Sequence, residues 1–148
     1  MVSFGHNDAN RTKAERYVPA DAFGESLRPF WDAARSHGAV CLFASPVAMR
    51  EFDGAGVCHP SFAAYREAMR AFAAEVGAPF IDLGAATAAA NTAFGAERCK
   101  ARYMWVGAKQ DNAHQQNAGA CRTAQAFVQQ SFAGYHPGTG CAAGEFTN

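Results

Sequence analysis

Two short blocks of this chain combine residue types that can do chemistry. In Asp111-Asn112-Ala113-His114 a carboxylate stands three residues before an imidazole. On a loop entering a helix, that spacing lets the carboxylate meet the Nδ1–H of the ring. The tautomer is then fixed, and Nε2 is left free to take a proton from a hydroxyl. The second block, Gly5-His6-Asn7-Asp8, follows Val2-Ser3-Phe4. If those three residues end a parallel strand, the block lies at the carboxyl edge, where open α/β sheets build ligand sites. Taken singly, each block is better explained by structure. Gly, Asn and Asp are turn formers, and Asp111 can cap a turn beside a solvated histidine.

The elements that would position these blocks read as alternating strands and helices. Ala39-Val40-Cys41-Leu42-Phe43-Ala44 is a continuous apolar run between Gly38 and Ser45-Pro46, as in a strand buried on both faces. Pro79-Phe80-Ile81-Asp82-Leu83 is a second such run. Between them Pro60 is expected to open a helix in which Phe62, Tyr65, Met69, Phe72 and Val76 form one apolar stripe, closed by Gly77. That is a βαβ unit. Upstream, Phe23, Leu27, Phe30, Trp31 and Ala34 make a similar stripe interrupted by Pro29, which must either kink the helix or sit in its first turn. Residues 85–94 read as an Ala-rich helix. Residues 117–132 read as a last helix with Cys121, Ala124, Phe127, Val128 and Phe132 facing inward.

Composition removes several function classes. Thirteen basic and 13 acidic residues give no net charge and no electrostatic footprint for nucleic acid or an anionic membrane. No apolar run approaches the roughly 20 residues needed to span a bilayer, so no membrane partner is expected. Met1-Val2-Ser3-Phe4 lacks the basic and apolar regions of a signal peptide. Cys41, Cys58, Cys99, Cys121 and Cys141 include no CxxC spacing, which argues against a zinc or dithiol redox site. Two readings of them stay open. One pairs Cys121 with Cys141, tying down the Gly-rich stretch after residue 133, and the other leaves buried free thiols.

The order of the two blocks resembles the SGNH (GDSL-type) hydrolases. In that family a Gly-x-Asn-Asp block follows the third strand and an Asp-x-x-His block precedes the last helix. Further stretches are similar to the rhamnogalacturonan acetylesterase branch: Ser45-Pro46-Val47, Tyr65-Arg66-Glu67-Ala68-Met69-Arg70, and Pro79-Phe80-Ile81-Asp82-Leu83 leading to Gly95-Ala96-Glu97. The likeness runs through residues 1–133, a partial SGNH domain, with 134–148 as a Gly-rich tail. It implies a truncated flavodoxin-like three-layer α/β/α sandwich with a parallel sheet. It also implies acetyl-ester hydrolysis on a pectic polysaccharide, with no metal and no cofactor, in a family member that is secreted when full length.

By the same resemblance His114 is the general base and Asp111 orients it. Asn7 donates its amide to the oxyanion, with Gly5, His6 and Asp8 shaping the substrate side. His37, His59 and His136 match no family position and are expected to be ordinary surface histidines. Asn7 and His114 are expected on one rim of the sheet. The family's nucleophile lies in a Gly-Asp-Ser block that precedes Gly-x-Asn-Asp, and no Gly-Asp-Ser occurs in these 148 residues. Ser45 is the one serine expected at the carboxyl edge, but it stands where the family has Thr-Pro-Val. Two expectations follow: little or no esterase activity from this polypeptide alone, and self-association through an uncovered sheet edge. A non-catalytic, carbohydrate-binding protein is the alternative.

Overall fold

The computed structural model describes residues 1–131. They form two compact units, Met1–Pro46 with Phe62–Asp82, and Val47–Ser61 with the chain from Leu83 onward. The Gly-rich tail, His136 and the Cys141 partner expected for Cys121 lie outside the described residues, as does Phe132. Among the described residues no helix is long and apolar enough to cross a membrane.

The first unit carries the parallel sheet. Strand β1 (Phe43–Ala44) pairs in parallel with β2 (Phe80–Ile81), and Val2 bridges Phe43 from the other side. Phe43 N–H donates to Pro79 O and Ala44 N–H to Val2 O, each at 2.9 Å, so β1 has partners on both edges. The expected strand over residues 39–44 is therefore shorter than its apolar run. Ala39 N–H donates to Ala34 O at 2.9 Å and serves the end of the preceding helix, while Val40 is left 78 % exposed.

Helix α1 (Ala20–Ser26) and helix α2 (Arg28–Ser36) replace the single interrupted helix expected there. The break falls at Leu27 because Pro29 lies in the first turn of α2, where its missing N–H breaks no hydrogen bond. Helix α3 (Ala63–Glu75) starts later than Pro60, since Phe62 adopts a left-handed conformation (φ 56°) that the helix cannot extend through. Its apolar stripe behaves as read: Tyr65, Met69, Phe72 and Ala73 are buried with Phe23, Leu27, Cys41 and Phe43. Phe43 and Phe72 meet edge to face, with centroids 5.6 Å apart.

The second unit is built on helix α4 (Leu83–Phe94), a 3-10 helix (Arg98–Arg102), an antiparallel hairpin of β3 (Tyr103–Val106) and β4 (Lys109–Gln115), and helix α5 (Asn117–Ser131). Leu83, expected to end a strand, begins α4. Tyr103 is the anchor of the hairpin. It is fully buried, donates to Ala48 O at 2.6 Å and accepts from Asn91 Nδ2 at 2.8 Å. Helix α5 packs through Gly119, where any Cβ would run into the carbonyl of Arg102. The inward face is thereby centred on Gly119, Thr123 and Phe127. Ala124, expected to face inward, falls off that face and is exposed.

Candidate active site

The Gly5-His6-Asn7-Asp8 block is a turn directly after the Val2 bridge, in the first unit. Gly5 has φ +123°, and a Cβ on it would lie 2.6 Å from Pro46 Cγ, so both conformation and space require glycine. Gly5 N–H donates to Asp8 Oδ2 at 3.0 Å, and Ala9 N–H to Gly5 O at 3.0 Å. Asp8 therefore closes the turn with its own carboxylate. Its carbonyl accepts Val18 N–H at 3.0 Å, and Val18 O in turn accepts Tyr65 Oη–H at 2.7 Å, tying the turn to α3. The His6 ring stands edge-on to Phe62, 4.9 Å between centroids. Asn7 is exposed within this turn.

The Asp111–His114 block is in the second unit, and the structure corrects its setting. It is not a loop but part of β4. Along the hairpin Trp105 pairs with Gln110 and Tyr103 with Gln115, so five steps on β4 answer two on β3. Residues 111–114 stand opposite Met104 alone, three residues in excess, in a bulge that frees backbone groups from the ladder. Asp111 uses that freedom. Its Oδ1 accepts the N–H of Ala113 and of His114, both at 2.9 Å, and its Oδ2 lies 2.8 Å from His114 Nδ1. A carboxylate only accepts, so the ring nitrogen facing it carries the hydrogen.

This geometry fixes the electrostatics. The N–H groups of His114 and Ala113, in that order, hold the Asp111 carboxyl far below the usual carboxylate range against the opposing effect of desolvation, with the imidazole adding to them. The His114 side chain is 80 % exposed against 18 % for Asp111. Nε2 thus faces outward with its lone pair available, the arrangement of a base awaiting a hydroxyl.

Among the other candidates, Ser45 is fully buried and its Oγ–H donates to Asp82 Oδ1 at 2.9 Å. Asp82 also receives Arg66 on both carboxylate oxygens, at 3.1 and 2.7 Å. Ser45 thus belongs to a partly buried polar cluster at the ends of β1 and β2. His37 is exposed at the end of α2. His59 pairs through Nε2 with Asp53 Oδ2 at 2.7 Å on the exposed loop around the Phe52–Cys58 bridge. Cys41, Cys58 and Cys99 are free and buried. The hairpin itself was not read from the sequence. Tyr103, Trp105 and Val106 followed by Gly107 at φ 59° were its available signal.

No family model matches the chain. Two curated proteins of Bacillus subtilis (strain 168) are similar to it: rhamnogalacturonan acetylesterase RhgT, 33 % identical over 138 residues, and probable rhamnogalacturonan acetylesterase YesY, 34 % identical over 121. The alignments take in 87 % and 81 % of this chain but 58 % and 55 % of those proteins. The chain thus spans a little over half the length of the curated relatives it matches. Among solved structures, protein YxiM of Bacillus subtilis superposes with a TM-score of 0.76 at 28 % identity, over 90 % of this chain and 37 % of that one.

Proposed function

We propose that the chain is an SGNH-type relative of the rhamnogalacturonan acetylesterases it resembles, and that it carries the proton-transfer and oxyanion groups of an acetyl-ester hydrolase acting on acetylated polysaccharide. The observation behind this reading is the Asp111–His114 pair, 2.8 Å apart with the other ring nitrogen facing solvent.

In the reaction His114 Nε2 accepts the proton of an attacking hydroxyl and returns it to the departing sugar oxygen. Asp111 keeps the ring in the Nδ1–H form and stabilises the imidazolium between these steps. Asn7, on the first unit, matches the family position whose amide donates to an oxyanion, a contact worth about 2.7–4 kcal/mol where such donors have been removed. Gly5 and Asp8 hold the turn that presents it. These residues need no metal for their part in acyl transfer.

The attacking hydroxyl is not among them. No Gly-Asp-Ser block occurs in the 148 residues, and Ser45 is buried against Asp82. That observation favours a second reading, a non-catalytic protein that keeps a carbohydrate-binding surface. Two measurements separate the readings. Release of acetate or p-nitrophenol by the chain should match that of His114→Ala, with no burst and no labelling by a serine-directed phosphonate. A covalent adduct would contradict this and identify the nucleophile. NMR titration with acetylated and deacetylated oligosaccharide should then move the His114 and Asn7 signals with the acetylated form alone. Equal response to both, or response elsewhere, supports the binding protein instead.

A further inference from the structure

The bulge that carries Asp111 and His114 is gripped at its middle residue. Arg50 N–H donates to the Asn112 carbonyl at 2.7 Å, supplying the partner that β3 does not. The guanidinium of the same residue reaches Asn112 Oδ1 through Nη1 at 3.3 Å and Ala96 O through Nη2 at 2.8 Å and Nε at 3.2 Å. Trp105 Nε1–H donates to Asn112 Oδ1 as well, at 2.9 Å. Two donors on one atom fix which way the amide points, since the NH2 group could not sit there. The Arg50 guanidinium in turn lies 4.6 Å from the centroid of the Trp105 ring, and Lys100 Nζ lies 4.9 Å from it.

From this geometry we infer that Arg50 and Trp105 are positioning residues for the Asp111–His114 pair, acting through Asn112. Neither contacts the imidazole. A bulge three residues longer than its partner strand has many backbone conformations, and in most of them the N–H groups of Ala113 and His114 do not converge on Asp111 Oδ1. Pinning Asn112 by both its carbonyl and its side chain selects the conformation in which they do. A lysine at position 50 cannot replace the arginine. One ammonium cannot reach Ala96 O and Asn112 Oδ1 while lying flat on an indole.

This inference rests on His114 as the proton acceptor, and its test reads the ring rather than turnover. Long-range 1H–15N correlation spectra, recorded near pH 9 where histidine rings are neutral, report which nitrogen bears the hydrogen. The parent chain is expected to show His114 predominantly as the Nδ1–H form. In Arg50→Ala and Arg50→Lys the Nε2–H form should become the major one, with His59 unchanged as the internal reference. Trp105→Phe keeps a ring for Arg50 to stack on and removes only the Nε1–H bond. It should give an intermediate shift, and it decides the matter if the Arg50 variants fail to fold. Parent-like His114 spectra in a folded Arg50→Ala and in Trp105→Phe would overturn the positioning role while leaving the base reading intact. An Nε2–H ring in the parent itself would defeat both.

Discussion

Asp111 and His114 are joined twice, through the ring Nδ1 on Oδ2 at 2.8 Å and through the His114 backbone N–H on Oδ1 at 2.9 Å. The same carboxylate therefore orients the imidazole and shapes the backbone from which it projects. Removing it changes both.

Asp111→Asn should invert the tautomer rather than merely loosen the ring. The amide oxygen can still accept Ala113 and His114 N–H, which places the NH2 group opposite Nδ1 and requires that nitrogen to accept. The hydrogen moves to Nε2, and the base is lost with the fold retained. The long-range nitrogen spectrum of this variant checks it. An Nδ1–H ring in Asp111→Asn would show that the carboxylate is not what fixes the tautomer.

The depressed Asp111 carboxyl gives a pH dependence with a definite sign. Because the folded-state value lies below that of the unfolded chain, the stabilisation is complete above the ordinary aspartate value of about 3.9 and is lost only as pH falls through the folded value. The Asp111 carboxyl carbon should show no titration between about pH 6 and 3. The Asp111 carboxylate's own contribution to the stability difference from Asp111→Asn should be undiminished at about pH 4 and shrink in stronger acid. A midpoint near the ordinary value would contradict the two backbone hydrogen bonds.

Two glycines should resist even alanine. At Gly5 a methyl meets Pro46 at a backbone φ of +123°, and at Gly119 it meets the Arg102 carbonyl. Each Gly→Ala change should destabilise by about 1–3 kcal/mol, as overpacking does, read from urea denaturation. Gly38, Gly77 and Gly95 have open space around the missing Cβ and should be disturbed less, by their φ angles alone.

Tyr103→Phe removes one oxygen and leaves the Ala48 carbonyl and the Asn91 amide without their buried partner. The loss should be about 1–3 kcal/mol. Ser45→Ala takes a donor from Asp82 and should weaken the first unit by about 1 kcal/mol, with no effect on acetate release or phosphonate labelling. Loss of labelling in that variant would make Ser45 the nucleophile after all.

Much of the frame was legible because period and punctuation are local. Tyr65, Met69 and Phe72 lie one turn apart and are buried together, and Gly77 closes α3 at φ 66°. Pro29 allowed either a kink or a place in a first turn, and the second is what α2 shows. What could not be read depends on distant residues. The strand over 39–44 shortens because its register with β2 runs over Phe43 and Ala44 alone, while Ala39 is taken by the end of α2. The polar run 109–115 looks like a loop, since nothing within it announces Tyr103 anchored on Ala48 or the grip of Arg50 on Asn112. The Asp-x-x-His spacing exposed the chemical pair, while the bulge that brings the pair together is a property of the hairpin.

The central claim is that His114 stands ready as a base, its Nδ1–H held by Asp111 and its Nε2 lone pair outward. The most direct measurement is the long-range 1H–15N spectrum of the parent chain near pH 9, where histidine rings are neutral. The account predicts a protonated-type shift at Nδ1 and an unprotonated one at Nε2 for His114. For His59, bound to Asp53 through its other nitrogen, it predicts the reverse. A His114 ring with its hydrogen on Nε2, or one averaging freely between the two forms, would contradict it.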